Sequence, residues 1–297
     1  MELRGRCNNP RGGVNNKAEN SIAAPARGPA RDGELRPDTK RRAQMAFVLD
    51  AACMCSTGKV RKNNEDNFFF DGRCLEAENN GLKHSVTMTK TLRRELCVAV
   101  FDGMGGENFG EFASFAAADC MQKSTRRLAD YFIPEKRFLN EMCMRINDAV
   151  VEKKREFCTE HMGSTMVALY FSHGFVYVCN LGDSRAYRLR DGEFLQISED
   201  HVEKREGRES KKAPLTQHLG IDAEEFLVEP YIAKGELKSG DKYLLCSDGL
   251  TDMLSNFEID ALLSDSADAE TCADRLVAAA LEKGGRDNVT VIVCRIL

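Results

Sequence analysis

The chain has 297 residues, 42% of them hydrophobic and 30% charged, with a formal net charge of −5. That suits one large domain or two small ones, and the acidic balance argues against a nucleic-acid partner, since gripping a phosphate backbone needs a basic surface. No apolar run approaches the roughly 20 residues that cross a bilayer, and the polar, arginine-rich beginning has no apolar signal core, so a cytoplasmic monomer with no membrane partner is expected.

Residues 1 to about 44 are rich in Gly, Pro, Asn, Ala and Arg and hold almost no aliphatic side chain larger than alanine. Such a stretch cannot bury enough apolar surface to offset its ordering entropy. A disordered tail is expected over 1–44, with a basic docking arm ending in Lys40-Arg41-Arg42 as the alternative, and a folded domain over 45–297. The 12 cysteines lack the paired spacing of a zinc knuckle or a redox CxxC and read as reduced, packed thiols.

From Met45 onward strand-like and helix-like blocks alternate. Ala46–Cys55 and Asn67–Asp71 read as strands, and Arg73–Arg94 as a polar surface insertion between strands. Leu96–Phe101 is a buried strand ending in a tight turn at Asp102-Gly103. Two helices follow, one carrying Phe109, Phe112, Ala113, Ala116 and Cys120, the other Phe138, Met142, Ile146, Ala149 and Phe157, with Pro134 at its start. Ser164–Phe171 and Phe175–Asn180, then Ser184–Leu189 and Glu193–Ile197, are short strands joined at Ser-His-Gly and Asp191-Gly192, which reads as one antiparallel meander. Asp241–Cys246 is a further strand. A helix over about 269–283 stops at Gly284-Gly285, and Val289–Leu297 closes the chain as a strand. The predicted class is α+β: two antiparallel sheets packed as a central β-sandwich, flanked by α-helices in α-β-β-α layers.

Three aspartates stand at the ends of apolar strands: Asp102, Asp248 and Asp287. A fourth acidic position is the pair Glu65-Asp66. Strand ends converge at a sheet edge, where clustered carboxylates repel one another unless a cation lies between them. Oxygen-only donors favour hard ions such as Mg²⁺ or Mn²⁺. Each Asp-Gly taken singly is more often just a turn.

The motifs also come in a telling order. Gly58-Lys59-Val60-Arg61 runs into Asn64-Glu65-Asp66; then come Asp102-Gly103-Met104-Gly105-Gly106, Gly163-Ser164-Thr165, Gly182-Asp183-Ser184-Arg185, Ser247-Asp248-Gly249-Leu250-Thr251-Asp252 and Gly285-Arg286-Asp287-Asn288-Val289-Thr290. Together they resemble the PPM (type 2C) family of metal-dependent serine/threonine protein phosphatases, in its bacterial form, over roughly 45–297. The resemblance implies hydrolysis of phosphoserine and phosphothreonine on proteins by a hydroxide bridging two Mn²⁺ or Mg²⁺ ions, without a phosphoenzyme. At the matching positions Asp102 would bridge both ions and the Gly103 carbonyl would add a ligand. Asp248 and Asp287 would complete the first ion's shell, and Asp66 or Glu65 would hold the second through water. Asp183 would help hold a third, weaker ion, a plain turn being the alternative. Arg61 would bind the substrate phosphate through its planar fork, and Asp252 would support its loop. The implied partners are phosphorylated proteins, substrates of a Ser/Thr kinase.

The pattern departs from the family at two places. Met104 stands where animal members often carry a histidine regarded as a general acid. His201, the nearest histidine by motif, reads as a loop residue with proton transfer as the alternative. Val202–Pro214 is short and highly charged where bacterial relatives carry a longer flap, and it reads as a mobile loop beside the substrate. Two other functions stay open: a partner-switching phosphatase acting on a small anti-anti-sigma-like regulator, and a catalytically dead pseudophosphatase that serves as a binding module.

Overall fold

Runs of β-branched and small apolar residues pair into two antiparallel sheets. The computed structural model describes residues 47–104, 109–125, 134–203, 213–222, 224 and 226–297. The chain divides into two units, Met1–Ala43 and Gln44–Leu297. The expected tail over 1–44 lies outside the described residues, as do Gly105-Gly106 and most of the charged segment after Val202.

One sheet is built from β1 (Val48–Ser56), β3 (Val86–Thr91), β8 (Arg185–Arg190), β9 (Glu193–Gln196), β11 (Lys242–Cys246) and β12 (Val289–Ile296), in the order β3-β1-β12-β11-β8-β9. The other holds β2 (Asp66–Phe69), β4 (Leu96–Met104), β6 (Met166–Ser172), β7 (Phe175–Leu181) and β10 (Tyr231–Glu236), in the order β10-β7-β6-β4-β2, with β5 (Gly163–Ser164) paired to the end of β4. The expected α-β-β-α layering is what forms. Val98, Val100, Leu169, Tyr243 and Ile292 fill the space between the sheets. Ala99 and Phe101 face the other way, onto Ala113, Ala117 and Met121 of α1 (Gly110–Thr125) and Met142 and Ile146 of α2 (Glu135–Glu156). Ile259 of α4 (Asn256–Asp265) and Leu276 and Val277 of α5 (Ala269–Glu282) cover Val291 and Val293 of the first sheet. A short helix, α3 (Asp248–Thr251), follows β11. Strands buried on both faces need no polar alternation, which explains the continuous apolar runs of β4, β6 and β12.

Several expectations change. The two predicted hairpins form, with left-handed backbone at His173-Gly174 and Asp191-Gly192, but they are not one meander: β6–β7 lies in one sheet and β8–β9 in the other. Arg73–Arg94 is not simply a surface insertion, because Val86–Thr91 pairs with β1 as an edge strand. The strand expected to end at Phe101 continues through Met104. Gly103 is therefore no turn residue. A Cβ there would lie 2.0 Å from Gly110 O and 2.6 Å from Glu65 O, so glycine is needed for close backbone approach. Among the described residues no helix is long and apolar enough to cross a membrane. The described cysteines are free, and most are buried.

Candidate metal centre

Side-chain parity places the acidic residues. On β4, Val98 and Val100 face the inter-sheet core, so Asp102 and Met104 continue that face toward the strand's end. Asp66 faces Asp102 directly in the β2–β4 pairing. From the opposite sheet, Ser247 follows β11 and Thr290 lies on β12. Their hydroxyls each donate to Asp66 Oδ2 at 2.7 Å, and the Thr290 N–H donates to Ser247 Oγ at 3.0 Å. The two sheets are thus tied together at one end of the sandwich through a carboxylate that is 1% exposed. Burial, then the nearby Asp102, holds the Asp66 carboxyl well above the usual range, and the two hydroxyls partly oppose the rise.

The loop between β1 and β2 brings Glu65 and Arg61 to the same end. Asn288 fixes it: its Oδ1 accepts from the Glu65 N–H at 2.8 Å, and its Nδ2 donates to Thr57 O and Asn63 O at 2.9 Å. Glu65 O in turn accepts from the Gly103 N–H at 3.0 Å. The Glu65 side chain lies against Gly110, where a Cβ would approach its Oε2 to 2.7 Å. Burial and then Glu111 push the Glu65 carboxyl up to about 7. Arg61 pulls it back, and Asp102 and Asp287 add to the rise. Arg61 Nη2 donates to Asp287 Oδ2 at 2.7 Å, and the Arg61 side chain remains 51% exposed.

Asp248, buried at the start of α3, reaches this end because Gly249 lies against Asn288. A Cβ on Gly249 would stand 1.9 Å from Asn288 O. Asp252 closes α3, its N–H donating to Asp248 O at 2.7 Å. The Asp183 turn is linked to Asp102 through Thr165, whose Oγ1 accepts from the Asp102 N–H at 3.1 Å and shares a 2.7 Å hydrogen bond with Ser184 Oγ. His201 supports that turn: its Nδ1 accepts from the Gly182 N–H at 3.2 Å and its own N–H donates to Gly182 O at 3.0 Å. Burial lowers its pKa, so the neutral ring is favoured. Of the charged segment after His201 only the ends are described, tied by a Val202–Leu215 bridge and a Glu203 N–H to Pro214 O bond.

Sequence motifs did not single out Glu111. It is 7% exposed, in the first turn of α1, and its Oε2 is buried with no hydrogen-bond partner. Together with the mutual repulsion of Glu65, Asp66, Asp102 and Asp287, this acidic excess fits divalent cations. Among the described residues no three acidic, histidine or cysteine side chains close into a ready-made ligand group. Carboxylate oxygens suit hard cations, and a half-exposed guanidinium beside them is a group of the kind that can grip a phosphate.

Comparison with known proteins agrees. The family model for protein phosphatase 2C matches residues 84–283. The chain is 33% identical over 270 residues to the serine/threonine protein phosphatase PstP of Mycobacterium tuberculosis, covering 86% of this chain and 46% of that protein. It is 28% identical to the serine/threonine phosphatase stp of Listeria monocytogenes, covering 80% and 91%. The crystal structure of the PstP catalytic domain in complex with two manganese ions superposes with a TM-score of 0.62 at 30% identity, covering 84% of this chain and 99% of that one. This chain belongs to the protein phosphatase 2C family. It spans about half the length of the PstP relative it matches.

Proposed function

We propose that the domain over 45–297 is a metal-dependent protein phosphatase acting on phosphoserine and phosphothreonine, by direct attack of hydroxide at phosphorus and without a phosphoenzyme. The observation that carries this reading is the convergence of Glu65, Asp66, Asp102, Asp248 and Asp287 at one end of the sandwich, beside Arg61, in a protein phosphatase 2C member. The manganese-bound relative supports the choice of Mn²⁺, with Mg²⁺ the equivalent hard ion.

In this reading Asp102, the Gly103 carbonyl, Asp248 and Asp287 would hold one or both of two ions, Glu65 or Asp66 would serve the second, and Asp183 would help hold a weaker third. Glu65 is the better placed of the pair, since both hydroxyl bonds to Asp66 turn it into the sandwich. A bound pair of ions lowers the pKa of water and neutralises phosphoryl charge. The chain's own residues bind and orient. Arg61 takes the phosphate dianion, with Asp287 aiming its guanidinium. Asn288 holds the Glu65 loop in register. The substrates are phosphorylated proteins made by a Ser/Thr kinase, and the protein acts as a cytoplasmic monomer.

The test is turnover of a phosphothreonine peptide. Hydrolysis is expected with Mn²⁺, and loss of it with EDTA and in Asp102→Asn. Turnover that survives both changes contradicts the reading.

A further inference from the structure

A serine or threonine phosphate departs as an alkoxide, a poor leaving group, so its hydrolysis gains from a proton delivered to the departing oxygen. Two residues beyond Asp102, on the same face of β4, stands Met104, which has no proton to give. The ring near its tip does. Met104 faces Gly163 in the β4–β5 pairing. A methyl group built on Gly163 would lie 3.2 Å from Met104 Cε and 2.9 Å from His218 Nδ1. His218 therefore arrives from a distant segment onto the face that Asp102 and Met104 share.

Its position is fixed by backbone. Ser164 and Leu219 exchange N–H to O bonds of 3.1 and 2.7 Å, and Ser164 Oγ donates to Asp102 O at 3.1 Å. His218 Nδ1 lies 2.8 Å from Leu219 O. A carbonyl oxygen only accepts, so Nδ1 carries the N–H and Nε2 is the nitrogen that gains and loses a proton. His201, the histidine that the motifs suggested, instead uses its Nδ1 to accept from Gly182.

From these relations we propose that His218 is the catalytic acid of this protein, an inference that rests on the phosphatase reading above. Water oxygen forms the new bond to phosphorus as the bond from phosphorus to the serine or threonine oxygen breaks. The electron pair left on that oxygen takes the proton from Nε2. The neutral ring, still donating through Nδ1 to Leu219 O, is reprotonated from solvent, which receives the proton lost by the attacking water. The products are the free hydroxyl side chain and inorganic phosphate.

The experiment compares two substrates in the Mn²⁺-loaded full chain. His218→Asn keeps an amide donor near Leu219 O and removes the acid at Nε2; His218→Gln is a second variant. On a phosphothreonine peptide kcat is expected to fall about 100-fold, while turnover of 4-nitrophenyl phosphate, whose leaving group departs without a proton, should stay within about threefold of wild type. The ratio of the two is the readout, so partial unfolding, which lowers both alike, does not imitate it. Equal losses on both substrates, or no loss on the peptide, overturn the assignment. Wild-type protein inert toward both substrates overturns the phosphatase reading, and this inference with it.

Discussion

Asp66 and Asp102 face each other across the β2–β4 pairing, yet their surroundings differ. Asp66 is sealed beneath the site with both the Ser247 and Thr290 hydroxyls on one oxygen, while Asp102 is only partly buried. One carboxylate ties the two sheets together, and the other is the more open of the two, as the proposed metal-holding role requires. Replacing Thr290 by valine removes one donor from the buried carboxylate without changing shape. Thr290→Val should cost about 1–3 kcal/mol, read as a lowered urea midpoint with an unchanged slope.

Close backbone approach at Gly249 sets the distance between Asp248 and the Asp287 segment. Gly249→Ala forces a Cβ to within 1.9 Å of Asn288 O. Backbone must move on both sides, so a loss of about 1–3 kcal/mol or more is expected, with Mn²⁺ affinity falling as well. Gly235→Ala on β10 is the control. Its Cβ would meet nothing nearer than Val176 Cγ1 at 3.7 Å, and its urea midpoint should barely move.

Stability should depend on pH through Asp241, which is 1% exposed and bonded by Arg190 Nε and Nη2 at 2.6 Å each. Burial pushes its carboxyl up, but Arg190, the Lys238 N–H and the Tyr243 hydroxyl more than offset this and hold it below the ordinary value. A carboxyl depressed on folding contributes stability above its unfolded pKa of about 3.9 and loses that contribution as pH falls through the folded value. Asp241→Asn should therefore cost about 3 kcal/mol near neutrality, where it leaves Arg190 without its charge partner. Urea titrations should show the gap between wild type and variant closing below about pH 4.

Under the proposed function, Arg61 should bear on phosphate and metal in opposite senses. Arg61→Ala should lower kcat/KM on a phosphopeptide about 10- to 100-fold, by losing a charged hydrogen bond to phosphate. Removing this cation beside Asp287 and Glu65 should leave Mn²⁺ affinity unchanged or raise it. A calorimetric titration that finds weaker Mn²⁺ binding in Arg61→Ala contradicts the assigned role.

Local sequence carried what local physics controls. The β4 run was legible because both its faces are buried, and the hairpin turns because Gly174 and Gly192 take left-handed backbone. The edge strands β3 and β10 were not, since their sequences, Val86-Thr-Met-Thr-Lys-Thr91 and Tyr231-Ile-Ala-Lys-Gly-Glu236, bury too little for a clear period. Helix α4 starts at a capping box formed by Ser255 and Glu258, a signal that is legible in the sequence. Motif aspartates stood out from their Asp-Gly neighbours. Glu111 and His218 did not, because burial beside Glu65 and contact across β5 are set by pairings distant in the chain. Which sheet each hairpin joins is likewise a long-range choice.

Whether these carboxylates form a two-ion site organised by Asp102 is decided by calorimetric titration of Mn²⁺ into metal-free protein. About two tightly held ions per chain are expected in the wild type. Asp102→Asn, with an unchanged circular dichroism spectrum, should lose both the ions and phosphopeptide turnover. Unchanged Mn²⁺ binding in Asp102→Asn, or a folded wild type that binds no Mn²⁺, would contradict it.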